Sequence, residues 1–156
     1  MQLYLLRHAE AEDDRTNDEQ RALTSRGQKQ VRTVAKFCRG RSFIPGIILS
    51  SPLLRAEQTA RIFARELDLP DIVRLEDFLR PGMVMQHALS YLEKCSERAS
   101  ICLVGHEPDF SQLAGTLLGT QAENIRFRKA TLMSLSLPKV QSGAATIDFL
   151  IPVKCL

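Results

Sequence analysis

The chain has 156 residues, of which 44% are hydrophobic and 25% are charged, with a formal net charge of +3. This length and apolar content predict one domain over residues 1–156. The mild positive charge falls short of the basic stripe of a nucleic-acid-binding protein, and no apolar run is long enough to span a membrane.

The beginning of the chain and its cysteines favour a cytoplasmic protein. Residues 1–7 lack the basic lead and long apolar stretch of a secretory signal. The cysteines lie in apolar or helix-like contexts without close pairing, which favours buried reduced thiols over disulfides or a zinc site. They are Cys38, Cys95, Cys102 and Cys155.

Short apolar runs alternate with longer helical patterns over the first three quarters of the chain. They predict strands at 3–6, 47–49, 72–75 and 101–104, and helices at 25–39, 53–67, 84–94 and from about Pro108 to Leu118. This βαβα order is typical of a parallel sheet with helices on its faces.

The end of the chain has a different pattern. Two β-rich runs, 131–137 and 145–151, are separated by a turn around 141–143. They predict a hairpin or an antiparallel edge. The predicted fold class is therefore α/β, a three-layer sandwich with a mostly parallel central sheet, a C-terminal antiparallel edge and helices on both faces.

Polar side chains follow three of the predicted strands. In open α/β sheets ligands gather beyond the carboxyl ends of the strands, so these segments are expected to meet at one rim. The segments are Arg7-His8-Ala9-Glu10, Ser50–Thr59 with Arg55, and Gly105–Asp109 with His106.

This combination of residue types suits phosphoryl transfer. A neutral imidazole such as that of His8 can attack phosphorus, and arginine forks neutralise phosphate oxygens with paired hydrogen bonds. Positive neighbours also keep His8 unprotonated. The alternative, a metal held by His8, His106 and a carboxylate, is disfavoured because nearby arginines repel a cation. We expect no metal and no cofactor.

Four segments in order resemble the histidine phosphatase superfamily, and within it the small SixA-type phosphohistidine phosphatase branch. Ala9 stands where the family's Arg-His-Gly opening has glycine. The segments are Leu5–Glu10, Arg21-Ala22-Leu23-Thr24 with Gly27, Ser51–Thr59, and Val104–Asp109.

The resemblance implies a role for each matching position. His8 is the expected nucleophile, Arg7 and Arg55 the phosphate clamp, and His106 a hydrogen-bond donor to the transferring group. Arg21 is expected to add a cationic contact, with a surface ion pair as the alternative. The region that bears a glutamate acid in many members does not match, and the candidate acids are Glu76, Asp77 and Asp18.

Other polar residues have simpler interpretations. His87 lies inside a helical pattern and is interpreted as a hydrogen-bonded structural residue. Cys102 lies within a strand and is expected to pack in the core. The acidic run of Glu10, Glu12, Asp13 and Asp14 is expected to form a solvated loop.

The compact chain and its short predicted loops favour a shallow site that admits a phosphorylated histidine on a protein surface. The missing match to the family's acid-bearing segment also favours phosphohistidine, because an imidazole leaves phosphorus with less acid assistance than an alkoxide does. The favoured function is a metal-independent protein phosphohistidine phosphatase, whose partner is a phosphorylated protein such as a histidine-phosphorylated signalling or transfer protein.

Two alternatives remain open. One is a phosphatase for a small phosphate ester or anhydride. The other is a non-catalytic phosphoprotein-binding module, which the presence of both His8 and His106 disfavours because binding alone needs no nucleophile.

Overall fold

The computed structural model describes residues 1–13 and 16–156. The strands in this part of the chain are β1 (Gln2–Arg7), β2 (Ile48–Ser50), β3 (Val73–Leu75), β4 (Ser100–Gly105), β5 (Leu132–Ser136) and β6 (Thr146–Ile151). The α-helices are α1 (Ser25–Arg39), α2 (Leu54–Glu66), α3 (Met85–Lys94) and α4 (Asp109–Leu118).

The strands form one mixed sheet in the order β3-β2-β4-β1-β5-β6. The pairs β3–β2, β2–β4 and β4–β1 are parallel, whereas β5 pairs antiparallel with β1 and β6 antiparallel with β5. The predicted fold class is confirmed, including the antiparallel edge formed by the last two strands.

The central strand β1 is buried on both faces, which explains its uninterrupted apolar sequence. Leu3 and Leu5 face a core formed with α3 and α4. Tyr4 and Leu6 face a second core formed with α1 and α2. Full burial of one such side chain stabilises the fold by about 1.5–3 kcal/mol.

The apolar face of α1 explains its predicted bounds. Val31, Val34, Ala35 and Cys38 recur at helical spacing and are buried against the sheet. The helix begins after Thr24, whose hydroxyl oxygen accepts a hydrogen bond from the Gly27 amide at 3.0 Å. No described helix is long and apolar enough to cross a membrane.

Several local predictions need correction. The helix α4 begins at Asp109, one residue later than predicted. Pro108 caps it, and the Pro108 carbonyl accepts a hydrogen bond from the Gln112 amide. His87 is exposed on α3 and forms no side-chain hydrogen bond with the described residues, so it is not a hydrogen-bonded structural histidine.

The cysteines are all free thiols, but they are not all buried. Cys38 and Cys102 pack in the core as expected, whereas Cys95 is half-buried. Cys155 is exposed because it lies in a short C-terminal 3-10 helix at the surface.

Candidate active site

The two predicted catalytic histidines lie side by side at the carboxyl edge of the sheet. His8 follows β1, and His106 follows the neighbouring parallel strand β4. Their ring centroids are 5.2 Å apart. The register that pairs Arg7 with Gly105 makes the two strands end at the same level.

The hydrogen bond of His8 determines which of its nitrogen atoms is free. Nδ1 lies 2.8 Å from the carbonyl oxygen of Ala9, which can only accept, so Nδ1 holds the proton and Nε2 keeps its lone pair. Burial, with smaller contributions from the nearby His106, Arg55 and Arg7, lowers the pKa of His8 to about 3. His8 is therefore neutral at physiological pH.

The hydroxyl of Ser51 defines the tautomer of His106. Nε2 of His106 lies 2.8 Å from Ser51 Oγ, which also accepts the amide of Leu53 at 3.3 Å. The Ser51 hydroxyl has no other acceptor among the described contacts, so it can donate to Nε2, and the ring proton then lies on Nδ1. Burial, followed by the charge of Arg55, lowers the pKa of His106 to about 4. The neutral ring is therefore a hydrogen-bond donor through Nδ1.

Two arginines complete the group around the imidazoles. Arg7 donates from Nη1 to the Phe127 carbonyl at 2.7 Å. Arg55 donates from Nη1 and Nη2 to the carbonyl and carboxylate of Asp18, at 2.7 and 3.1 Å. The Nε atoms of both arginines and Nδ1 of His106 are buried without a hydrogen-bond partner among the described residues. These donors beside His8 can bind an anion.

Asp18 connects Arg55 with Arg21. Its carboxylate accepts a hydrogen bond from Arg21 Nη1 at 2.9 Å and one from Arg55. The hydrogen bond from Arg21 is the main reason that the pKa of Asp18 is lowered. Asp18 is therefore ionised at neutral pH and cannot donate a proton. Arg21 contacts the site through Asp18, since its Nε is bonded to the Glu12 carbonyl.

The other two candidate acids are bound elsewhere. Glu76 accepts a hydrogen bond from the Tyr91 hydroxyl on α3 at 2.8 Å. Asp77 accepts one from Arg80 at 2.9 Å, and Arg80 also binds Glu19. The described contacts of these carboxylates do not include either imidazole.

The signature at 21–27 joins α1 to the segment that follows His8. The Thr24 amide donates to the Glu10 carbonyl at 3.0 Å, and Ala11 forms an isolated antiparallel bridge with Leu23. Gly27 packs so closely that a Cβ would collide with the Glu10 carbonyl oxygen. This explains why glycine follows threonine at that spacing.

Several contributors to the site were not given roles from the sequence. Thr59 accepts the Ala9 amide at 3.2 Å, and Gln58 accepts the Leu23 amide at 2.7 Å. Glu107 accepts a hydrogen bond from Ser111, and burial raises its pKa. The position of Ser51 and Glu107 near the ends of β2 and β4 was the signal that could have identified them.

The acidic run is not uniformly solvated. Glu12 and Asp13 are exposed, and Asp14 lies outside the described residues. Glu10 accepts a hydrogen bond from the Thr24 hydroxyl at 3.0 Å and lies 3.6 Å from Arg26. Within residues 1–13 and 16–156, no three His, Cys, Asp or Glu side chains are grouped so that they could hold a metal.

The histidine phosphatase superfamily (branch 1) model matches residues 3–80. An uncharacterised protein of Picosynechococcus is 34% identical over 95% of this chain and 89% of its own. The phosphohistidine phosphatase SixA of Escherichia coli is 28% identical over 96% of this chain and 92% of its own.

Solved structures agree with these sequence matches. The protein histidine phosphatase SixA complexed with tungstate superimposes with a TM-score of 0.90 and 27% identity, over 99% of this chain and 98% of that one. Structures that are 19–20% identical, including phosphatases of small phosphate esters, share the fold alone. These matches show that the chain belongs to the histidine phosphatase superfamily, which supports phosphatase activity, and that SixA is among its relatives.

Proposed function

We propose that this phosphatase removes phosphate from phosphohistidine on a protein partner, through a covalent intermediate on His8. The observation that carries the proposal is the Nδ1 hydrogen bond of His8 to Ala9, which leaves the Nε2 lone pair beside three buried donors that have no partner among the described residues. The pKa of about 3 keeps that lone pair available.

In the first step, the phosphoryl group binds to Arg7, Arg55 and Nδ1 of His106. The Nε2 lone pair of His8 forms a bond to phosphorus while the bond from phosphorus to the leaving group breaks. The leaving group departs with that electron pair and takes a proton from water. The three fixed donors stabilise the charge that develops on the phosphoryl oxygens.

In the second step, water attacks the phosphorus of the His8 intermediate. The bond from phosphorus to Nε2 breaks, inorganic phosphate leaves and the neutral imidazole is restored. The arginines supply the positive charge that a metal supplies in other phosphatases, so we expect the reaction to be metal-independent.

The state of the three candidate acids supports a phosphohistidine substrate. Asp18 is ionised by its arginine partners, and Glu76 and Asp77 are bound away from the imidazoles. An imidazole leaving group tolerates the loss of these three acids better than an alkoxide does. Similarity to SixA supports the same substrate class, and a cytoplasmic signalling or transfer protein fits it.

A substrate panel tests this proposal on protein dialysed against a strong chelator. We expect phosphoramidate and a phosphohistidine peptide to give kcat/KM values at least about a hundredfold above those of sugar phosphates, because only the esters need a strong acid. The control is the His8→Ala variant on the same panel.

Each contrary result identifies an alternative. Comparable turnover of a sugar phosphate contradicts the phosphohistidine assignment and favours a small-ester phosphatase. Activity that disappears with the chelator and returns with added metal contradicts metal independence. Peptide binding without any turnover identifies a phosphoprotein-binding module.

A further inference from the structure

We propose that a basic pocket beside the active site receives acidic side chains that surround the phosphohistidine on the partner protein. This inference rests on the proposed function and specifies the partner surface. The pocket has a volume of about 420 Å³, and Arg7 forms part of its wall. The other charged residues in the wall are Arg26, Arg128, Lys129, Lys154 and Glu10.

The charge of the pocket is its first distinguishing feature. Five of its nine lining residues are basic and one is acidic, although the whole chain has a formal net charge of only +3. Arg128, Lys129 and Lys154 are exposed, and none of them forms an ion pair with a described carboxylate. Their charges are therefore free to attract an anionic surface.

The loop that carries Arg128 and Lys129 is fixed to the catalytic segment. Arg7 donates through Nη1 to the Phe127 carbonyl at 2.7 Å and through its amide to the Thr131 carbonyl at 3.1 Å. The Ala130 amide donates to the His8 carbonyl at 3.2 Å. These bonds hold the backbone of the loop, from which the two cations extend, in a defined position relative to the nucleophile.

The opposite wall of the pocket is also anchored. Val153 packs against the core that contains α1, which places the neighbouring Lys154 beside the beginning of that helix. Arg26 is in the first turn of α1, and its side chain is 77% exposed. With Arg7, cations from four separate segments thus surround one cavity.

The exposure of these cations favours a protein surface over a small ligand. A small anion is normally held by buried, convergent donors. Here Arg128, Lys129 and Lys154 are exposed flexible side chains, which suit a broad acidic surface that is steered into place electrostatically. The shared wall at Arg7 would place that surface next to the phosphoryl group.

The test compares two synthetic phosphohistidine peptides, one flanked by Asp and Glu and the other by Asn and Gln, with phosphoramidate as the small substrate. The test variant is Lys129→Glu with Lys154→Glu. The control is Lys94→Glu with Lys139→Glu, which changes the net charge equally. Lys94 ends α3, which precedes β4, and Lys139 follows β5, which runs antiparallel to β1. Both therefore lie at the amino edge of the parallel strands.

Wild-type protein should prefer the acidic peptide by about tenfold in kcat/KM at low salt, and the preference should shrink at high salt because the charges are exposed. The test variant should lose at least about fivefold more activity on the acidic peptide than on phosphoramidate. The control should keep the wild-type preference.

Equal turnover of the two peptides by wild type, with phosphoramidate still hydrolysed, would overturn this inference alone. A larger loss in the test variant on a small bisphosphate ester than on the acidic peptide would instead indicate a subsite for a second phosphate. Failure of wild type to hydrolyse phosphoramidate and both peptides would overturn the proposed function as well.

Discussion

The active site has two basic rims that differ in how their charges are used. On the paired rim, Arg55 and Arg21 are bound by Asp18. On the open rim, Arg128 and Lys129 have no ion-pair partner among the described residues. Paired charges hold fixed positions, whereas unpaired charges remain available to another molecule.

Burial explains the difference between the rims. The Arg55 side chain is only 6% exposed, so its charge needs a nearby counterion, which Asp18 provides. The side chains of the open rim are solvated and need none. We therefore expect the paired rim to determine the geometry of the phosphate site and the open rim to contribute to partner choice.

Removal of the buried cation should have the largest effect on small-substrate turnover. Arg55→Ala deletes one preorganised charge at the phosphoryl group and should lower kcat/KM for phosphoramidate about a hundredfold to a thousandfold. Arg128→Ala, on the open rim, should lower it less than about threefold. Similar losses in the two variants would contradict the division between the rims.

The imidazoles between the rims should make the fold sensitive to acid. Histidine has a pKa of about 6.5 when unfolded, whereas that of His8 is about 3 and that of His106 about 4 in the folded chain. The unfolded chain therefore binds more protons, and stability is lost as the pH falls below 6.5. Each histidine should contribute on the order of 1 kcal/mol per pH unit between pH 6 and 4.5.

Denaturant unfolding across that pH range measures this effect. His8→Gln and His106→Gln should each reduce the dependence of the unfolding free energy on pH. His87→Gln is the matched control, because that side chain is exposed on α3. An unchanged dependence in both test variants would contradict the buried neutral imidazoles.

A smaller effect is expected when the carboxylate of the paired rim is neutralised. Asp18→Asn removes a negative charge 3.1 Å from Arg55 Nη2, so Arg55 should attract phosphate more strongly. The inhibition constant for inorganic phosphate should fall by about threefold, because the partly exposed charge is screened by solvent. An unchanged or larger constant would show that Asp18 does not compete with phosphate for Arg55.

The sequence predicted the parallel part of the fold closely because its signals are local. The predicted and observed bounds of α1 are both 25–39, since an apolar stripe and a threonine cap define them. The meeting of His8 with His106 was predicted because each directly follows a strand of the expected parallel sheet, and the carboxyl ends of such strands share one edge. Pro108 was placed inside the helix because the position of a cap depends on backbone geometry that residue type does not specify.

The charge pairing around the site could not be predicted in the same way. The bonds of Asp18 to Arg55 and of Ser51 to His106 join residues 37 and 55 positions apart. No periodic pattern connects such residues, and the identity of an Asp or Glu does not reveal whether its carboxylate is exposed or buried. The basic pocket was also missed, because its cations come from four separate segments and the overall net charge is only +3.

The central claim, that His8 is the nucleophile, is tested most directly by locating the covalent intermediate. Wild type and His106→Ala are mixed with phosphoramidate, quenched rapidly without acid, and examined by intact mass and peptide mapping. We expect one acid-labile phosphoryl group on His8, and His8→Ala should lose both labelling and turnover. A phosphoryl group on Ser51, Cys102 or His106, or undiminished turnover by His8→Ala, would contradict the account.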